Sequence, residues 1–177
     1  APLCAMQRPT KRARAAAVGG AAAGAARAAD NSAGESALRE AAERGLLDTV
    51  KKLLYYEAVN KNAQDGKGRT ALHYAVKNRQ AAVVDELCRG GADVNVQDNA
   101  GRTPLHCASG SEDMISKLHL LITPENVNIP DIVGRTPLFY AVQEGKVALA
   151  GFLLKAGATV DALDAMGETP LKLAKRY

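Results

Sequence analysis

Tryptophan is absent from this 177-residue chain, and five Tyr and two Phe supply all of its aromatic rings. Any core must therefore be assembled from small and aliphatic side chains, and Ala is the most abundant residue, with 34 copies. Cysteine is scarce as well. Cys4, Cys88 and Cys107 form no CxxC pair and leave one over from any pairing, which argues against a disulfide scaffold and for a reducing compartment, cytoplasmic or nuclear. A long apolar run is also missing. The longest stretch without charge or strong polarity, Ala15 to Ala26, is mostly Ala and Gly, too short to span a bilayer and without the Leu-rich centre of a secretory signal. Positive charge is confined to one end. The net charge of +4 resides in residues 1–34, where Arg8, Lys11, Arg12, Arg14 and Arg27 face only Asp30. The rest of the chain is neutral overall, so direct binding of nucleic acid by the body of the protein is not expected, nor is membrane insertion.

Composition divides the chain near Gly34. Residues 1–34 hold fourteen Ala and four Gly, no Ile, no aromatic and no Leu beyond Leu3. Such a segment buries too little apolar area to offset backbone ordering and is expected to be a disordered tail, with Gly19-Gly20 interrupting any transient Ala helix. Within it, Lys11-Arg12-Ala13-Arg14 is similar to a short nuclear import signal, the plain alternative being a solvated basic tail. The chain begins with Ala1 rather than Met, which reads as processing or an incomplete fragment.

From Glu35 onward a repeat emerges. Thr70, Thr103, Thr136 and Thr169 recur at one constant interval. Asp65, Asp98, Asp131 and Asp164 keep the same phase, as do Gly68, Gly101, Gly134 and Gly167, and Leu72, Leu105, Leu138 and Leu171. Ala75, Ala108, Ala141 and Ala174 form a further column. Asp and Gly bracket a tight turn, Thr opens a helix, and Pro104, Pro137 and Pro170 take the first helical position, where a missing N–H costs nothing. Leu and Ala three apart share one helical face. A second helix is expected at about Ala81–Arg89, with Val83, Val84 and Leu87 inward, and at about Lys146–Lys155, with Leu149, Phe152 and Leu153 inward. Gly90, Gly91 and Gly157 are expected to stop these helices in the left-handed conformation.

Thr103-Pro104-Leu105-His106-Cys107-Ala108 matches T-P-L-H-x-A, and the chain resembles the ankyrin-repeat family over roughly Glu35 to Tyr177. The resemblance implies an all-α repeat solenoid of stacked helix-turn-helix pairs with short β-hairpin fingers, about four full repeats and a C-terminal half repeat. The units fall at about 35–64, 65–97, 98–130 and 131–163, with a partial unit at 164–177. The first lacks the Asp-Gly turn but echoes the helix faces in Leu38, Ala41, Ala42, Val50, Leu53 and Leu54. The third is irregular, with Pro124-Glu125 where Gly-Ala is expected. The last stops one helix after Thr169, which reads as truncation.

Catalytic chemistry finds little support. His73 and His106 occupy the family position that implies backbone hydrogen bonds within and between repeats, and His119 reads as a partly exposed helix residue. No H-E-x-x-H zinc spacing exists, Gly66-Lys67-Gly68-Arg69-Thr70 lacks the phosphate-loop spacing, and no cofactor is implied. The resemblance implies instead a binding surface made of the finger residues and those seven and eight after Thr. These are Gly66, Lys67, Arg69, Lys77 and Asn78; Asn99, Ala100, Arg102, Gly110 and Ser111; Ile132, Val133, Arg135, Gln143 and Glu144; and Ala165, Met166, Glu168, Arg176 and Tyr177. Ile132, Val133 and Met166 place apolar tips beside the basic run Lys67, Arg69, Arg102 and Arg135. That pattern suits a protein partner with an apolar anchor and acidic residues, bound by a monomeric adaptor or targeting domain. The alternative is that the tips pack finger on finger and the arginines are solvated. Other readings are a non-catalytic part of a larger signalling enzyme and a nuclear regulator.

Overall fold

The structure, a computed structural model, describes residues 20–55, 59–108 and 112–176. Among these the secondary structure is helical, with no strand. Helix α1 (Gly20–Arg44) turns back through Gly45 into α2 (Leu47–Tyr55). The second unit pairs α3 (Ala71–Lys77) with α4 (Ala81–Arg89). The third carries a 3-10 turn at Pro104–Cys107, the short α5 (Glu112–Ile115) and a second 3-10 turn at Leu118–Leu120. The fourth pairs α6 (Pro137–Gln143) with α7 (Val147–Lys155), and α8 (Pro170–Ala174) begins the fifth. First helices stack on first helices (α1 on α3, α3 on Pro104–Cys107, that turn on α6, α6 on α8), and α2 stacks on α4. A continuous core of Leu, Val and Ala runs through the stack from Leu38 to Ala158. Repeat units that bury one another's faces in this way contact only their neighbours.

Each finger is built on one aspartate. In Asp65, Oδ1 accepts the backbone N–H of Lys67 at 2.8 Å and of Arg69 at 2.9 Å. Asp98, Asp131 and Asp164 repeat the pattern on the residues two and four further on. The backbone closes the same loop, Asp98 N–H donating to the Arg102 carbonyl at 2.9 Å. Glycine is needed at the fourth finger position: Gly101 has φ 75°, and a Cβ there would lie 2.8 Å from the Ile132 nitrogen. This close approach lets successive fingers bond to one another. Asn99 N–H donates to Lys67 O, Ile132 N–H to Ala100 O and Ala165 N–H to Val133 O, at 2.8–3.1 Å. The hairpin fingers expected from the sequence are therefore hydrogen-bonded turns rather than strands.

Thr70, Thr103, Thr136 and Thr169 are the N-caps of their helices. Two of them engage a histidine three residues on. His73 Nδ1 accepts the Thr70 N–H at 3.2 Å and lies 3.0 Å from Thr70 Oγ1, while Nε2 meets the Arg102 carbonyl of the next unit at 2.9 Å. His106 does the same between Thr103 and Arg135 O. An acceptor at Nδ1 and a carbonyl at Nε2 require the neutral ring protonated on Nε2. In the fourth unit Phe139 stands in this column, and the buried Thr136 Oγ1 has no hydrogen-bond partner.

The third unit departs from its neighbours for reasons written in its own residues. Where the second and fourth units continue through Val76-Lys77 and Val142-Gln143, the third has Ser109-Gly110, poor helix formers, and its first helix ends at Cys107. Its second segment also lies one residue late. Leu87 and Leu153 accept a backbone N–H five residues on, from Ala92 and Ala158, at 2.9 Å. Leu121 stands one position further from Thr103 than Leu87 stands from Thr70 or Leu153 from Thr136. It accepts instead from the side chain of Asn126 at 2.7 Å. Asn126 is fully buried. It also donates to Asn95 Oδ1 and exchanges bonds with Thr123. The loop from Leu121 to Asn126 is one residue shorter than its counterparts, Leu87 to Asp93 and Leu153 to Thr159, which restores the phase before Asp131.

Two expectations are corrected. Gly91 and Gly157 are left-handed, at φ 79° and 94°, but Gly90 is right-handed at φ −70°. The boundary drawn at residue 34 falls inside α1: residues 20–34 form the first part of a 25-residue helix, because Gly20 begins the helix rather than interrupting it and Ala is the strongest helix former. Residues 1–19, with Lys11-Arg12-Ala13-Arg14, lie outside the described residues. The helices expected in the second and fourth units are found at Ala81–Arg89 and Val147–Lys155, with Val83, Val84, Leu87, Leu149 and Leu153 buried.

The threonine column supplies a stability test. Thr70→Val and Thr103→Val each remove a hydroxyl bonded to imidazole, and are expected to cost about 1–2 kcal/mol in urea denaturation. Thr136→Val removes an unpaired buried hydroxyl and is expected to be neutral or stabilising in the same measurement.

Candidate functional site

The second oxygen of each finger aspartate decides what the finger base presents. Where the residue four after Thr is tyrosine, its hydroxyl donates to that oxygen: Tyr74 to Asp65 Oδ2 and Tyr140 to Asp131 Oδ2, both at 2.6 Å. The third unit has Cys107 at this position and the fifth has Leu173. There arginine takes over. Asp98 Oδ2 accepts from Arg102 Nε at 3.1 Å and Nη2 at 2.8 Å, with Arg69 Nε of the preceding unit 3.7 Å away. Asp164 Oδ2 accepts from Arg135 Nε at 3.2 Å. Burial works against the charge on Asp98, but the guanidinium and N–H of Arg102 and the N–H of Ala100 outweigh it and hold its carboxyl below the usual range.

Between the rings of the second and fourth units lies a cleft of about 340 Å³, lined by Arg69, His73, Tyr74, Lys77, Arg102, His106, Cys107, Tyr140 and Glu144. Arg69 lies over the Tyr74 ring, 6.0 Å from its centroid. The Tyr140 ring meets His106 edge-on at 5.7 Å. Both phenols are engaged with aspartate, and burial together with Asp131 pushes the Tyr140 hydroxyl up to about 12. Arg69, Lys77 and Arg102 outnumber Glu144 on the walls, and the two histidines are neutral, so the cleft is basic and ring-lined.

The residues singled out from the sequence fall in different places. Arg69, Lys77 and Arg102 meet in this cleft, with Lys77 exposed and the two arginines turned onto Asp98. Arg135 lies against Asp164, with Nη1 3.5 Å from Gln143 Oε1. Ile132, Val133 and Met166 stand on adjacent fingers, 73%, 42% and 82% exposed, and are open to solvent. Lys67 is exposed, as is Asn99, whose amide donates to Gly66 O at 3.0 Å. Gly110, Ser111 and Tyr177 lie outside the described residues. Tyr74, Cys107 and Tyr140 were not singled out from the sequence. The signal was there, since all three fall in one column of the repeat.

Nothing in the cleft is poised for chemistry. Burial raises the Cys107 thiol, and burial with Asp85 pushes Cys88 up to about 11, so neither is an activated nucleophile. Among the described residues no group of His, Cys, Asp and Glu is arranged to hold a metal ion, and no helix is long and apolar enough to cross a membrane.

Comparison with known proteins agrees with this architecture. Residues 38–119 match a family model of three ankyrin repeats, and residues 133–165 match a single ankyrin repeat. Over 54 residues the chain is 48% identical to palmitoyltransferase akr1 of Schizosaccharomyces pombe, covering 30% of this chain and 8% of that protein. Over 54 residues it is 43% identical to rabankyrin-5 of Mus musculus, covering 30% of this chain and 4% of that protein. The chain thus spans a small fraction of the length of these relatives.

The buried histidines make stability depend on pH. Burial, the largest cause, lowers the pKa of His73 and His106 below 6.5 in the folded protein. Their contribution is complete above the unfolded value and is lost as pH falls from 6.5 through the lowered folded values. The urea midpoint is expected to drop between about pH 7.5 and 5.5, and His106→Gln to shrink that drop. The carboxylates of Asp65, Asp98 and Asp164, lowered from 3.8, act only at still lower pH.

Proposed function

Because this chain belongs to the ankyrin-repeat family, whose repeats are non-catalytic modules that mediate protein–protein interaction, we propose that it binds a partner polypeptide on the concave surface formed by its fingers and first helices. It does so as an adaptor or as the targeting part of a longer protein. The observation that carries this reading is the run of solvent-exposed apolar side chains Ile132, Val133 and Met166 on neighbouring finger tips, beside a cleft with a basic excess. Exposed apolar groups gathered in one place mark interaction sites, and a basic border selects acidic partners and speeds encounter. The partner segment then carries an apolar anchor and acidic residues, and the module acts as a monomer, without a cofactor, in the cytoplasm or the nucleus.

A second reading, the targeting module of a longer enzyme, draws on one relative being named a palmitoyltransferase in which the matched stretch is 8% of the length. Both readings place recognition in the repeats.

The test is capture from lysate with identification by mass spectrometry, comparing the native chain with Ile132→Ser/Met166→Ser. Exposed substitutions of this kind change stability by about 0.5 kcal/mol or less, so circular dichroism and melting are expected to be unchanged. Captured partner is expected to fall at least several-fold. Equal capture by the variant would place the binding surface elsewhere.

A further inference from the structure

The cleft at the centre of this face is a gap in a column. Tyr74, Cys107 and Tyr140 occupy equivalent positions in three consecutive units, and the middle one carries a side chain without a ring. The flanking rings cannot swing in to fill the space. Tyr74 is tied to Asp65 and Tyr140 to Asp131 through their hydroxyls, at 2.6 Å each. Arg69 covers the Tyr74 ring and His106 holds Tyr140 edge-on. What remains between them is a slot with a thiol among its lining groups, and about 340 Å³ lies at the small end of the range for ligand pockets. A slot of that size admits one large side chain.

The walls state what that side chain is. Ring faces and edges favour another aromatic ring in offset or edge-on contact. Around them stand Arg69, Lys77 and Arg102 against the single Glu144. Asp98 answers part of the charge of both arginines, yet one carboxylate faces two guanidiniums, and Lys77 makes no ion pair among the described residues. Arginine has five N–H donors, of which Asp98 engages those on Nε and Nη2 of Arg102. A carboxylate arriving beside the inserted ring finds the remaining donors and Lys77.

We infer that the cleft at Cys107 is a socket for an aromatic side chain of the partner polypeptide, flanked in the partner by an Asp or Glu that pairs with Lys77 and Arg102. The inference rests on the proposed binding face and names its central subsite. The partner's ring takes the place that the repeat leaves empty in its third unit, stacking in series with Tyr74 and Tyr140. The finger tips at Ile132 and Met166 form a separate contact on the same face.

A random peptide display library selected on the full chain, followed by fluorescence anisotropy of the enriched peptides, tests this. The expected consensus is an aromatic residue next to an acidic one. Cys107→Tyr fills the slot with the residue the neighbouring units already carry, and is expected to weaken those peptides at least tenfold. Lys77→Glu, an exposed change that leaves the core untouched, is expected to weaken them at least threefold and serves as the decisive variant if Cys107→Tyr does not fold. Peptides without an aromatic residue, undiminished binding to Cys107→Tyr or Lys77→Glu, or no enrichment at all would overturn the socket. If such peptides still lose binding on Ile132→Ser/Met166→Ser, the binding face stands and only the socket falls. If neither set of variants affects binding, both readings fall.

Discussion

One carboxylate per repeat holds this molecule in shape. Each finger aspartate commits one oxygen to two backbone N–H groups of its own turn, which fixes the finger, and offers the other to a tyrosine of its helix or to an arginine of its own finger or the finger before it. A charged acceptor with several N–H and O–H donors is among the stronger arrangements available to a protein. Here it is reused from the second unit to the fifth. The fingers it fixes come close enough for backbone bonds from one to the next, and those bonds hold the first helices in register. Core packing of Leu, Val and Ala completes the stack, but small aliphatic side chains alone would not determine where a finger points.

Much of this order is legible in the sequence because the physical requirements recur at a fixed period. The Asp, Gly and Thr columns give the turn and the cap, and Val83, Val84 and Leu87 give the buried face of α4. The irregular third unit is harder to read. Its second segment is delayed by one residue and the following loop shortened by one, so Thr136 keeps the regular interval from Thr103 and the columns conceal the shift. Only the fully buried Asn126, standing in for a backbone N–H, discloses it. The start of α1 is concealed for another reason. An Ala-rich stretch has high intrinsic helix propensity and little side-chain area, and reasoning from burial alone gives weight only to the second property.

The binding face shows the same limit. Exposed positions such as Ile132, Lys77 and Met166 can be placed from the repeat register. Which arginines are available cannot, because that depends on whether the aspartate of the same or the following finger lacks a tyrosine partner. Asp131 takes Tyr140, whereas Asp98 and Asp164 draw in Arg69, Arg102 and Arg135. The alternation Tyr, Cys, Tyr, Leu along one column therefore governs both the charge pattern and the location of the cleft. It is a pairwise property, visible only once the two columns are brought together in space.

Several of the links between units reach forward. His73 and His106 each reach forward to a carbonyl of the following unit, and Asn62 and Asn128 accept forward as well, from Asp93 and Thr159. Phe139 breaks the histidine series, so the fourth unit has no such tie to the fifth. Under tension the stack resembles a zip with one blunt tooth: the join between the fourth and fifth units parts without an imidazole latch to break, whereas the two joins before it must each break one.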